Sequence, residues 1–223
     1  MDYRNVNMIT CGNGNCYIIR GKRGDILIDT CMREFRNEIE LWLENYNVKL
    51  IVLTHGHFDH IGNAAYFAEL YDARIAMSAD DAGLSENKRI RRTYAMGIRG
   101  MVLKKATEMP LEVIPEPFKA DIFLEDGMAL GEEFGIENCT AVSLEGHTKG
   151  SFGILHGNDL YVGDAAMNFV SPSFPAICES PVRARKALEK IKAISPERIF
   201  FGHGDPIMGK GPEYRKMFTK TIF

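Results

Sequence analysis

Five of the six histidines in this 223-residue chain fall in three short strings. THGHFDHIG, residues 54–62, carries His55, His57, Asp59 and His60. EGHTKGS, residues 145–151, carries His147, and FFGHGDP, residues 200–206, carries His203. YVGDA, residues 161–165, lies between the last two and carries Asp164. Imidazoles and carboxylates are the ligands that borderline divalent ions such as zinc prefer. These seven groups suffice for two such ions, with an open position left for water. An isolated histidine is more often a satisfied polar residue than a ligand. His156, in the expected hairpin turn ILHGND, fits that description. The other five come as a set with metal-ligand spacing.

The surrounding sequence predicts how these side chains are positioned. LIVLT, residues 50–54, is a short apolar, β-branched run that reads as a buried strand. HGHFDH leaves its end and enters a helix at NAAYFAELY, residues 63–71. A strand-to-helix loop on a rigid scaffold can present several side chains to one point. His55 and His57 are two apart and point the same way in an extended segment. Asp59 and His60 follow where the chain turns. His147 and His203 adjoin glycines after apolar runs, and Asp164 closes the strand-like DLYVG, so each candidate ligand sits at a strand end. The wider order reads strand, strand, helix (35–46), strand, helix, strand (73–77), then a helical region from about 80 to 105. Strands near 121–124, 139–144, 152–155 and 159–162 follow. Ser180-Pro181 opens a helix to about 194, and RIFF, residues 198–201, is a further strand. The class is α/β, with two sheets face to face and helices outside.

The ordered set HxHxDH, GHTxG, aspartate and final histidine resembles the metallo-β-lactamase superfamily of hydrolases. NCYII (15–19) and ILIDTC (26–31) look like its opening strands, with Asp29 at the family's structural aspartate, so the resemblance covers nearly the whole chain. It implies a four-layer αββα sandwich and two divalent ions, zinc first, with iron or manganese as alternatives. By similarity His55, His57 and His147 bind the first ion, Asp59, His60 and His203 the second, and Asp164 bridges. Asp29 is expected to fix loops near the metals through backbone hydrogen bonds. A hydroxide between the ions, oriented by the catalytic Asp59, is the expected nucleophile. Ser151 and Cys178 then read as structural or pocket residues. His57 stands where di-iron flavoprotein oxygen reductases carry glutamate. Asp164 stands where many zinc β-lactamases carry cysteine or serine, and matches glyoxalase II-like thioesterases and lactonases. About 20 residues follow His203, too few for the helical extension of glyoxalase II. A small ester, thioester or lactone remains the expected substrate. Two-metal phosphodiester hydrolysis on nucleic acid, and persulfide oxidation at iron, stay open as alternatives.

A chain of this length, 45% hydrophobic and 26% charged, reads as one globular domain over 1–223. It contains no uncharged run near the roughly 18 residues of a membrane helix. Its N-terminus lacks an apolar signal region, which predicts a cytosolic protein. Five cysteines without zinc-finger spacing predict free thiols. A net charge of −3 argues against a nucleic-acid partner and leaves homo-oligomerisation open. One segment departs from this balance. Residues 88–105, KRIRRTYAMGIRGMVLKK, hold seven lysines or arginines and no acid, and apolar residues recur at helical spacing. They predict an amphipathic basic helix inside an insert at about 84–119. One reading is a solvated helix packed on the body. The other is a lid on which Arg91, Arg92 and Arg99 bind a substrate anion. Tyr94, Ile98, Met96 and Met101 then form an apolar wall.

Overall fold

The computed structural model describes residues 7–12, 14–84, 91–107 and 115–219. The first half carries β1 (Met8–Cys11), β2 (Gly14–Ile19), β3 (Asp25–Ile28), α1 (Arg36–Leu43), β4 (Val48–Val52), α2 (Phe58–Ile61), α3 (Ala64–Tyr71), β5 (Arg74–Met77) and α4 (Ala79–Ala82). The middle carries β6 (Tyr94–Ala95), α5 (Gly97–Thr107) and β7 (Ile122–Phe123). The second half carries β8 (Cys139–Ser143), β9 (Phe152–His156), β10 (Asp159–Gly163), β11 (Ile177–Cys178), α6 (Pro181–Ile194), β12 (Arg198–Phe201), β13 (Ile207–Met208) and α7 (Pro212–Thr219).

Two mixed sheets form, ordered β1-β2-β3-β4-β5-β7 and β13-β12-β10-β9-β8. Successive residues of a strand face opposite sides, and the burial follows that alternation. Tyr17, Ile19, Ile26, Ile28, Leu50 and Val52 of the first sheet meet Ala141, Ile154, Tyr161 and Phe200 of the second. Ile18, Leu27 and Ile51 point the other way, onto Ile39 and Leu43 of α1 and Phe67 of α3. Leu160, Val162, Ile199 and Phe201 likewise leave the second sheet to meet Ala187 and Ile191 of α6 and Met217 of α7. Three apolar layers between four structural layers make the αββα sandwich.

Two cross-sheet anchors set the site end. The Phe152 N–H donates to the Thr54 carbonyl at 2.8 Å, and the Asn15 N–H to the Gly202 carbonyl at 2.9 Å. Asn15 Nδ2 also donates to the carbonyls of Phe201 and Gly204, at 3.0 and 2.8 Å. They bring the ends of β2, β4, β9 and β12 together.

Most sequence-derived elements form close to their expected places, with RIFF at β12 and the Ser180-capped helix at α6. The Ser180 hydroxyl accepts the Arg183 N–H at 3.4 Å, as an N-cap does. ILHGND is a hairpin turn, with His156 opposite Asp159. The basic segment is the main correction. Instead of one helix over 88–105, Tyr94–Ala95 pairs antiparallel with Ile177–Cys178, and the helix begins at Gly97. Gly97 has φ +65°, a conformation that interrupts helix and suits glycine. Lys88, Arg89 and Ile90 lie outside the described residues, as does most of PLEVIPEPF before Pro115. Among the described residues no helix is long and apolar enough to cross a membrane.

Candidate metal centre

All seven candidate ligands converge where these strands end. His55, His57 and His147 form one group whose ligand atoms lie within 4.8 Å of one another, and Asp59, His60 and His203 form another. His55, His60 and Asp164 make a third such group that joins the two. In the first, His55 Nε2 and His147 Nε2 lie 3.1 and 3.0 Å from His57 Nδ1. In the second, the Nε2 atoms of His60 and His203 are 3.3 Å apart. Nitrogens sharing one tetrahedral ion at about 2.0–2.1 Å stand roughly 3.3 Å from each other. Asp164 lies between the groups: Oδ2 is 3.5 Å from His147 Nε2 and 3.3 Å from His203 Nε2, while Oδ1 is 3.6 Å from His60 Nε2. Among the described residues, Asp164 Oδ1 is buried with no hydrogen-bond partner. A buried carboxylate oxygen in that state requires a cation or a donor. The residues present therefore fit two divalent ions.

Neighbouring groups orient the ligands, as they do in metal sites generally. The Ile177 carbonyl engages His147 Nδ1 at 2.8 Å, which leaves Nε2 for the centre. Asp29 Oδ2 engages His60 Nδ1 at 2.8 Å, with the same result. Thr54 Oγ1 donates to Asp29 and lies 3.1 Å from His55 Nδ1. Asp29 thus takes one bond from a backbone group, the Thr54 N–H, and two from side chains. The expected backbone bond is present, and the side-chain bonds add to it. Gly202, before His203, is required by close approach, since a Cβ there would lie 2.4 Å from Asp164 Oδ1.

The two groups differ electrostatically. Burial lowers His55 well below its ordinary value and brings His57 to about 4, so both are neutral at pH 7. Burial also opposes charge on His60 and His203, but Asp29, Asp164 and Asp59 around them outweigh it. His60 rises to about 9 and His203 to about 11. Burial likewise opposes charge on Asp59 and Asp164, yet His60 and His203 hold both carboxyls below the usual range. His55, His60, His147, Asp164 and His203 are buried, while His57 and Asp59 are partly exposed and mark the open side.

Of the expected substrate-binding residues, Arg91 is engaged elsewhere. Its Nη1 lies 2.7 Å from Asp81 Oδ1 and 3.2 Å from Glu179 Oε1. Arg92 lies over the exposed Tyr94 ring at 5.3 Å. Ile98 and Arg99 belong to α5, but their side chains lie outside the described residues. Met96 packs with Phe174 and Cys178 on the body, and Met101 is exposed. Ser151 is buried and bonded within its loop to Thr148, and burial pushes the Cys178 thiol up to about 11. Neither is set up as a nucleophile. The sequence reading missed Asn15, Asp81 and Phe169. The Phe169 ring stacks on His203 at 5.2 Å and 23°, and remains half-exposed beside the centre. Only its place in the loop after Asp164 hinted at it.

The profile of the metallo-beta-lactamase superfamily matches residues 9–203, and the chain belongs to that superfamily of metal-dependent hydrolases. It is 25% identical over 184 residues to the protein named probable metallo-hydrolase YflN of Bacillus subtilis, covering 75% of this chain and 68% of YflN. It is 28% identical over 211 residues to the beta-lactamase-like protein 2 homolog of Drosophila melanogaster, covering 91% of this chain but only 62% of that protein. Among solved structures, TTHA1623 in a di-iron-bound form superposes with a TM-score of 0.62 at 22% identity, over 90% of this chain and 93% of that one. At that identity the likeness speaks to the fold.

Proposed function

We propose that the protein is a binuclear metal-dependent hydrolase that cleaves a carbonyl ester, thioester or lactone of a small molecule. The observation that carries this reading is the pair of ligand groups sharing the orphaned Asp164. Two divalent ions held there would supply hydroxide at neutral pH, by lowering the pKa of water from 15.7 to about 7, and would polarise a carbonyl. His55, His57 and His147 would hold one ion, Asp59, His60 and His203 the other, with Asp164 between the two groups. Asp59, partly exposed on the open side, would orient the attacking hydroxide. With Ser151 bonded inward and Cys178 protonated, no enzyme-bound acyl group forms. Asp164 at the bridging position and the apolar Phe169 stacked on His203 favour carbonyl substrates of the glyoxalase II-like or lactonase-like kind. Arg92 is assigned to an anionic part of the substrate and Tyr94 to its apolar wall.

Zinc is the proposed metal, since five imidazoles and two carboxylates suit it. The same donors accept iron, and the di-iron form of TTHA1623 gives that alternative its support. Elemental analysis with a screen of esters, thioesters, lactones and phosphodiesters tests the reading. Metal-dependent turnover of a carbonyl substrate, abolished by Asp59→Asn, is expected. Turnover of phosphodiesters alone would overturn the substrate class.

A further inference from the structure

Asp81 lies outside the seven candidate ligands, yet it is fully buried and bonds residues adjacent in sequence to each member of the three-histidine group. Its Oδ2 accepts the N–H of Gly56, between His55 and His57, at 3.0 Å, and the hydroxyl of Thr148, next to His147, at 2.6 Å. Its Oδ1 accepts the Gly150 N–H at 3.1 Å and Arg91 Nη1 at 2.7 Å. Four donors thus saturate one carboxylate. Two glycines of the sequence strings make room for it. A Cβ on Gly150 would lie 2.5 Å from Asp81 Cγ, and one on Gly56 would lie 3.0 Å from the Asp81 carbonyl oxygen and 2.8 Å from Leu84 Cδ1. Arg91 carries the connection outward. It pairs with Glu179, whose Oε2 takes the Lys149 N–H at 2.7 Å and whose own N–H donates to the His147 carbonyl at 2.9 Å. Arg91 also bonds the Asp80 carbonyl.

We infer that Asp81 is the positioning residue of the three-histidine group, and that Arg91 latches the basic insert to the centre through it. The inference rests on the reading of that group as a metal site. The carboxylate is the common acceptor for the HGH loop and the HTKG loop, which belong to different halves of the sandwich. It therefore fixes how far His147 stands from His55 and His57. An asparagine at 81 has one acceptor oxygen for four donors, so whichever way its amide turns, the Gly56 N–H or the Gly150 and Arg91 donors lose their partner. Arg91 neutralises the buried charge, and its guanidinium reaches Asp81, Glu179 and the Asp80 carbonyl together, which an ammonium cannot do as well. The arginine expected to meet a substrate is instead part of the scaffold of the centre.

The test isolates the three-histidine group in a His203→Ala background and follows zinc retained per chain against a graded chelator series. Asp81→Asn, Arg91→Met and Arg91→Lys are compared, together with the metal-free melting temperature of each. Loss of an outer partner typically lowers metal affinity by 10–100-fold. Asp81→Asn should release zinc at chelator concentrations about 10–100-fold lower. Arg91→Met should shift in the same direction by less, and Arg91→Lys should recover part of the loss. A lower melting temperature with unchanged zinc retention in both Asp81→Asn and Arg91→Met would overturn the inference and leave Asp81 a folding residue. If Asp81→Asn does not fold, the Arg91→Met and Arg91→Lys pair decides by the same criterion. Absence of zinc from the parent with wild-type Asp81, and from wild type itself, would overturn the metal reading and the inference with it.

Discussion

Replacing Asp29 by asparagine removes one charge from behind the centre without touching a ligand. Asp29 has φ +57°, a left-handed conformation that asparagine tolerates better than most residues, so the backbone is spared. Its Oδ1 takes the Thr54 N–H at 2.8 Å, and its Oδ2 takes the Thr54 hydroxyl and faces His60 Nδ1, both at 2.8 Å. If the new amide nitrogen takes the Oδ2 place, His60 Nδ1–H has no acceptor. The ring then favours a proton on Nε2, the atom that faces His203 and Asp164. If it takes the Oδ1 place, the buried Thr54 N–H opposes another N–H, at a cost of about 1–3 kcal/mol. Loss of such an outer partner weakens metal binding about 10–100-fold, which is about 1.4–2.8 kcal/mol. Calorimetric titration of zinc into metal-free Asp29→Asn, beside circular dichroism to establish folding, reads this directly. The second binding step should weaken more than the first. A folded variant with both steps unchanged would refute the assignment of Asp29 as the group that orients His60.

Asp59→Asn, which removes a ligand of the second ion and the group that orients the hydroxide, should fold and keep the ion of the three-histidine group yet lose about 10²–10⁴-fold in kcat. Cys178→Ala should keep turnover, and mass spectrometry during catalysis should find no acyl adduct on any serine or cysteine. Phe169→Ala should raise KM for substrates with an apolar acyl group more than for acetyl substrates, with kcat little changed. Equal effects on both would remove Phe169 from the substrate wall. The metal-free protein should show a two-sided stability profile. His55 and His57 are depressed, so the unfolded chain binds more protons than the folded one below their ordinary value, and stability rises with pH toward about 6.5. His60 at about 9 and His203 at about 11 contribute stability that is full below about 6.5 and is lost as pH rises through those values. Calorimetric melting from pH 5 to 10 should therefore peak between these limbs, and a steady rise across the range would contradict it.

The ligands were legible in the sequence because each belongs to a local string whose spacing reflects one loop. The strands that carry them were legible because both faces of runs such as LIVLT are buried, so the run is apolar throughout. What stayed hidden depends on pairing across the chain. β11 and β6 are two-residue strands with no pattern of their own, formed only because Ile177–Cys178 meets Tyr94–Ala95. That pairing turned an expected helix into a strand followed by a shorter helix. Asp81 and Asn15 were hidden for the same reason. Each acts by accepting or donating across more than 60 residues of chain, as in Gly150 to Asp81 and Asn15 to Phe201. Arg91 reads from charge asymmetry as free for a substrate, because its acidic partners lie outside the 88–105 segment, Asp81 10 residues before it and Glu179 88 residues after it.

The central claim is that two ions share Asp164. Inductively coupled plasma mass spectrometry on protein purified from zinc-supplemented expression tests it most directly. About two transition-metal ions per chain are expected, falling to about one in His203→Ala. A wild-type protein that folds, is supplied with zinc and iron, and still carries neither would contradict it.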